Sequence, residues 1–477
     1  MTATDNSWGA MFAGSRGLAA VTLASGVGLQ AIETFIGSTL LPSVVAEIGG
    51  LELFAWNTTV FIVASIIASI FAAIRPFGLG PRGIYVFAAI GFGLGSLVCG
   101  LSPNMEVMLA GRAVQGFGAG LLTAMSYSMI RLMFPPELWG RAFALISSVW
   151  GVATVVGPAI GGIFASYDAW RLAFFVLVPC AALLAWLAVR VIPRASGEAG
   201  MSRFPILQIM LLIGAVAAIS VASILTEGVV LPALLVGLAV LAILALGVID
   251  QRRENHLFPR GTFRLGTGLA ALFAAMLLLN LAIISDMFVP LFVQRLHGQT
   301  PLVAGYMVAL VAVGWSTGSI AGSNWTGRRQ KFALVLGPTL QLIGLVGLAL
   351  FIGQDNSAGD WLPLLPVGVA LALLGGGIGI SWPHVSARLL RSAPAGEGDL
   401  TSASISMVQL FASGFGAAVA GVIVNAAGLA SSDSIRSTIS AAHWLYWLFA
   451  LAPLIAIPVI WSIARDDAPA AMEQPAE

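Results

Sequence analysis

Fourteen stretches of this 477-residue chain are apolar over the length of a membrane crossing, and no other feature limits the fold as severely. They run over Gly17–Val44, Trp56–Ile74, Ile84–Leu101, Met105–Met133, Ala142–Ala165, Trp170–Ile192, Pro205–Leu225 and Val229–Ile249. The remaining six are Leu265–Val293, Leu302–Trp325, Phe332–Gly353, Leu362–Leu390, Ala403–Leu429 and Trp444–Ile463. Only 9% of residues are charged, against about 25% in soluble domains. The expectation is an all-α integral membrane protein with many spans. The polar N-terminal stretch MTATDNSWGAMFAGSRG has neither the charged start nor the small-residue cleavage site of a signal peptide, so the first apolar stretch should stay as a span.

The basic residues test the count. With the N-terminus inside the cell, eighteen of the 22 Lys and Arg fall in cytoplasmic segments and three outside, and Arg112 lies in the membrane. Outer loops hold Glu106, Asp168, Glu227, Asp355, Asp360 and Asp433 instead. A mistaken span would invert every loop after it, so the bias argues for an even number, with both termini cytoplasmic in the cell's inner (plasma) membrane. Tryptophans near the expected ends, such as Trp56, Trp170, Trp325 and Trp444, form an aromatic belt.

Several function classes are excluded. The polar segments are too short for a catalytic domain, and GxxxxGK[ST], HExxH and GxSxG motifs are absent, which argues against an enzyme or a self-contained ATPase. No cofactor or metal is expected. A net charge of +1 without a basic tract offers nothing to nucleic acid. Cys99 and Cys180 lie in apolar stretches and read as packing residues.

Charge inside the membrane is scarce, and each instance is a site hypothesis. Arg112 sits about 10 Å inside the fourth span, in LAGRAVQGFGAGLL, with Gln115 on the same helical face. Gly116, Gly118 and Gly120 let neighbouring helices approach closely. Glu33 in the first span and Asp286 in the ninth are the other two charges far from any loop. A carboxylate facing Arg112 has two states, ion-paired or protonated and released, which suits proton coupling and substrate binding. Asn57, Asn280, Gln294, Gln341 and Gln409 could line a cavity or bond between helices. In WGVATVVGPAIGGIF, Pro158 should bend the fifth span while Gly157, Gly161 and Gly162 allow tight packing beside a cavity. His384 reads more readily as an interface residue than as a proton relay.

The glycine spacing repeats. Gly116, Gly118 and Gly120 recur as Gly375, Gly377 and Gly379 in the twelfth span. This suggests two related six-helix bundles with two helices inserted between them. The expected division is a tail (1–16), an N-terminal bundle (17–195), two inserted helices (204–250), a C-terminal bundle (265–464) and a tail (465–477).

These residues resemble the major facilitator superfamily, in its fourteen-span drug:proton antiporter branch. ETFIGSTLLP (Glu33 to Pro42) is similar to that branch's first-span LDxTIVNVALP, GRAVQG to its RxxQG motif, and VVGPAIGG to its fifth-span antiporter motif. WRLAFFVLVP and VPLFVQRLHGQTPLVAG resemble the sixth-span entry and the LPLYLQxVxGxSPLxAG stretch. One loop departs: where the family reads GxLxDRxGRR, this chain reads AAIRPFGLGPRG, with Phe77 at the aspartate position and Pro81 at an arginine. The resemblance implies a major-facilitator fold and proton-coupled multidrug efflux of amphipathic, cationic or zwitterionic small molecules. Glu33, Arg112 and Asp286 would carry coupling and binding, and the partners would be substrate, protons and the lipid bilayer around a monomer. A transporter specific for one metabolite or natural product stays open, as does a non-transporting receptor or lipid-handling protein.

Overall fold

The computed structural model describes residues 8–74, 80–135, 138–194, 205–225, 230–253, 255–264, 266–322, 325, 327–395, 397–430 and 434–465. Phe77, Glu227 and Asp433, singled out above, and the basic residues Arg75 and Arg203 lie outside the described residues. All regular structure among the described residues is helical, as hydrocarbon requires of a chain with no water to bond its backbone.

Among the described residues, fourteen helical runs cross from one face of the bundle to the other. They are α1 (Ser15–Ile48), α2 (Phe54–Ile74), α3 (Pro81–Leu101), α4 (Met105–Met133), α5 (Trp139–Ser166), α6 (Trp170–Val191) and α7 (Ile206–Ile224). Next come α8 (Val230–Arg252), α9 (Gly268–His297), α10 (Pro301–Gly322), α11 (Gly327–Phe351), α12 (Leu364–Arg391), α13 (Gly398–Ala426) and α14 (Ile435–Ile463). Thirteen of them are long and apolar enough to cross a membrane by composition alone. The exception is α4, a 29-residue helix whose hydropathy is diluted by Glu106, Arg112, Gln115 and its glycines. The face where α1 begins is called the near face below, and the face where it ends the far face.

Two helices differ from the sequence expectation. The last begins at Ile435 rather than Trp444, because Ser434 caps it by accepting the Ser437 N–H at 3.1 Å, and its first turns carry polar residues that mask them in hydropathy. The ninth is broken by a 3₁₀ turn at Ser285–Phe288, just before Pro290, which has no N–H to continue the ladder.

Helix pairing repeats. In the first half α2 and α3 pack on α4, and α1 packs on α5; in the second, α10 and α11 pack on α12, and α9 packs on α13. The glycines set these contacts. Gly116 meets Phe61 of α2 and Gly118 meets Phe92 of α3, while Gly375 meets Val311 of α10 and Gly377 meets Gly337 and Gln341 of α11. Gly120 against Ser65 and Gly379 against Trp315 complete the correspondence. His384 joins α12 to the end of α10, its Nε2 lying 3.0 Å from the Gly322 carbonyl.

Between the halves, α5 packs on α10 and α2 on α13. At the far face Phe54 stacks on Phe288 at 4.9 Å, and Gly162 lies against Leu302. The inserted helix α7 packs against both α2 and α13. There Trp56 Nε1 donates to the Ser220 carbonyl at 2.7 Å, and Asn425 Nδ2 donates to the carbonyls of Ser223 (2.8 Å) and Glu52 (3.0 Å). Its partner α8 is largely exposed along Leu234, Leu238, Leu241 and Leu244, a surface suited to acyl chains.

Backbone contact at the glycines yields a direct expectation. A Cβ at Gly95 would stand 2.6 Å from Gln115 Cα, so Gly95→Val should abolish the monodisperse peak in size-exclusion chromatography of the solubilised protein. Gly214→Val, at a helical position with open space, should leave it unchanged.

Candidate functional site: a buried charge pair at the meeting of four helices

Arg112 is carried on α4 and is only 4% exposed, and Glu33 on α1 is fully buried. The two form an ion pair through Arg112 Nη1 and Glu33 Oε1. The same Nη1 donates to Gln115 Oε1 at 2.6 Å, and Arg112 Nε donates to the backbone carbonyl of Asn57 at 3.2 Å. The guanidinium carbon lies 4.3 Å from the centroid of the Phe61 ring, a cation–π contact that survives desolvation. Gln115 is itself fixed, donating from Nε2 to Ser96 Oγ at 2.9 Å. Groups of α1, α2 and α4 therefore meet at one guanidinium, and α3 holds the Gln115 amide beside it.

Small residues make the convergence possible. Gly37 follows Glu33 by one turn, and a Cβ there would stand 3.2 Å from Glu33 Oε1 and within 3.9 Å of both Arg112 Nη atoms. Gly111 brings α4 against Gly95 and Cys99 of α3. Without these clearances the helices could not approach closely enough for side chains this short to meet.

The pair is not saturated. Glu33 Oε2 and Asn57 Oδ1 are buried and have no hydrogen-bond partner among the described residues. One carboxylate oxygen is fixed by arginine while the other can take a proton or an N–H from a ligand.

The other residues singled out in the sequence occupy different surroundings. Asp286 sits half-buried in the 3₁₀ turn of α9, without a side-chain bond or ion pair among the described residues, in electrostatic range of Tyr446. It does not join the Arg112 cluster. Asn280 bonds back to its own helix at Met276, 2.8 Å away. Gln341 donates to the Leu279 carbonyl at 3.0 Å and ties α11 to α9, with its Oε1 unpartnered. Gln294 Nε2 is buried and unpartnered, and Gln409 is half-buried on α13. Gly157 and Gly161 seat α5 on Phe35 and Thr39 of α1, Gly162 meets α10, and Pro158 lies beside Gly305. Ser96, Phe61 and Gly37 were not singled out in the sequence; only Gly37, one turn from Glu33, carried a local signal.

The Major Facilitator Superfamily family model matches residues 23–417. The chain belongs to that superfamily and is a multi-pass membrane transporter, not an enzyme. It is 37% identical over 447 residues to a probable multidrug-efflux transporter of Mycobacterium tuberculosis, covering 90% of each chain. Multidrug resistance protein 3 of Bacillus subtilis is 25% identical over 375 residues, covering 75% of this chain and 69% of that protein. Among solved structures, a peptide transporter POT in complex with alafosfalin superposes with a TM-score of 0.67 at 13% identity, covering 94% of this chain and 95% of the other. A bacterial homologue of the human lysosomal transporter Spinster, in an inward-facing and unoccupied conformation, gives 0.62 at 15% identity over 95% and 98%. At such identities these likenesses concern the fold.

The pair should behave as a coupled unit. Arg112→Leu leaves a buried carboxylate without its countercharge and should cost about 3–5 kcal/mol in denaturation of the purified protein. Adding Glu33→Gln should recover a substantial part of that loss; a double variant whose cost equals the sum of the two single costs would show the side chains to be uncoupled.

Proposed function

We propose that this chain is a proton-coupled exporter of amphipathic cationic or zwitterionic small molecules, working by alternating access as a monomer with both termini in the cytoplasm. The observation that carries the reading is the half-occupied Glu33 carboxylate, with Oε1 held by Arg112 and Oε2 buried without a partner. The name of the mycobacterial relative supports efflux of drugs as the class of work.

In this reading Glu33 alternates between two occupants. A cationic substrate group binds the carboxylate beside Arg112, and a proton arriving at Oε2 neutralises it and releases the substrate. Departure of that proton on the opposite side restores the charged pair. Because both ligands use one carboxylate, each favours a different arrangement of the halves, which is the thermodynamic requirement for exchange. Asp286 is a second acidic group in the other half, and the α5 glycines seal α5 against α1 and α10. A transporter specific for one metabolite is the second reading; the AAIRPFGLGPRG loop, which departs from the pattern of the drug exporters, favours it.

Proton movement in everted vesicles decides between these. With a pH gradient imposed, a lipophilic cation should discharge it in vesicles carrying the native protein and not in those carrying Glu33→Gln at equal abundance. Arg112→Ala should lower transport at least tenfold and Arg131→Ala, on the same helix, far less. Native-like coupling in Glu33→Gln would overturn the assignment of that residue, and discharge by one compound alone from a broad panel would favour the single-metabolite transporter.

A further inference from the structure

The connection between α8 and α9 is a built structure at the near face that the transport reading does not use. Asp250, in the last turn of α8, is 2% exposed. Its Oδ1 accepts the Leu257 N–H at 2.6 Å, and its Oδ2 accepts the Phe258 N–H at 3.1 Å. His256 Nδ1 lies 2.6 Å from the Asp250 carbonyl oxygen. Three further bonds hold the connection: Gln208 Nε2 to the Asn255 carbonyl (2.9 Å), Ser404 Oγ to the Leu257 carbonyl (3.1 Å) and Thr267 Oγ1 to the Gly261 carbonyl (2.9 Å). Phe263 lies over Gly247, where a Cβ would stand 3.1 Å from the ring. A polar connection anchored this thoroughly is a frame rather than a slack linker.

The frame borders a half-open cavity of about 360 Å³. Phe258 and Phe263 line its apolar side, and Asp250, His256, Arg260, Arg264 and Thr267 its polar side. The charge there is unbalanced. Both Asp250 oxygens are engaged with backbone, and Glu397 accepts the Arg260 N–H at 2.8 Å with its other oxygen 3.7 Å from Arg260 Nε. Arg264 is exposed and makes no side-chain bond or ion pair among the described residues. Arg252 and Arg253 are exposed where α8 ends, so the described residues here supply four arginines and two occupied carboxylates, and the sequence adds Glu254 after Arg253.

The outside of α8 is apolar up to this cavity. Leu241, Leu244 and Val248 are 63%, 61% and 51% exposed and lie three and four residues apart, which makes one stripe on the helix. The stripe leads to Gln251, a residue of the cavity wall, and to Arg252. A molecule with an anionic head and an apolar tail matches both surfaces at once. We propose that this cavity is a binding site for the phosphate headgroup of an anionic phospholipid, with Arg264 and Arg260 as its ligands and the acyl chains on the α8 stripe. Basic cavities between helices at the membrane–water boundary have the chemistry for such headgroups. Occupancy would reinforce the link between this connection and the start of α13, because Arg260 already touches Glu397 there.

The test uses the full chain, purified and delipidated in detergent. Native mass spectrometry and thermal unfolding are followed with phosphatidylglycerol, phosphatidylcholine or inorganic phosphate. Phosphatidylglycerol should be retained, and should stabilise, at concentrations at least tenfold below phosphatidylcholine. Arg260→Ala/Arg264→Ala should lose that preference, while Arg328→Ala/Arg329→Ala, which removes two exposed arginines from the first turn of α11 at the same face, should keep it. If the first double variant fails to fold, Arg264→Gln alone should still weaken retention several-fold. Equal retention of the two lipids by the native protein would overturn the site. So would equal loss in both double variants, which would mark a general surface-charge effect. Stabilisation by inorganic phosphate equal to that by the lipid would overturn the lipid assignment in favour of a soluble anion.

Discussion

A guanidinium cannot be left alone in hydrocarbon. The cost is roughly 3 kcal/mol or more, and the N-terminal half is arranged around meeting it. Arg112 is met by a carboxylate from α1, a backbone carbonyl from α2, an amide on its own helix and the face of an aromatic ring. The amide is then held from α3. Each partner must come close to α4, and that closeness rests on glycines at positions where a single methyl group would push a neighbour away. Packing and electrostatics meet here: the glycines bring the helices close enough for their groups to reach the arginine.

The halves share a scaffold but not this chemistry. The correspondence of Gly116, Gly118 and Gly120 with Gly375, Gly377 and Gly379 carries Arg112 onto Leu371 and Gln115 onto Leu374. The neighbouring contact agrees, since Gly95 packs on Gln115 and Gly344 packs on Leu374. Both leucines are fully buried, so the place of the charge cluster is filled by hydrocarbon in the second half. Asp286, the acidic group of that half, lies in the broken turn of α9 instead.

Much of this was legible in the sequence. The spans stood out because their apolar runs are long and their basic loops alternate. Arg112 and Glu33 stood out because charge is rare in such runs, and Gln115 because three residues along a helix share a face. The repeat was visible as a glycine spacing. What could not be read is proximity without a local signal. Ser96 is an ordinary serine in an apolar segment until α3 and α4 are laid together, and Phe61 is one phenylalanine among 25. The first turns of α14 were hidden because hydropathy detects lipid-facing residues, whereas those turns are polar and capped by Ser434. The break in α9 depends on how Pro290 meets the turn before it, and apolar content is blind to that.

The placement of the inserted pair makes the two flanks of the protein unequal. Where α2 meets α13, α7 closes the crevice with hydrogen bonds to both sides. Where α5 meets α10, side chains such as Val152, Val155, Val313 and Ile320 are exposed to the surroundings instead. A compound dissolved among the acyl chains therefore meets one barred flank and one bare one. The inserted helices thus cover one seam between the halves and leave the outer surface of the other, packed seam to the surrounding acyl chains.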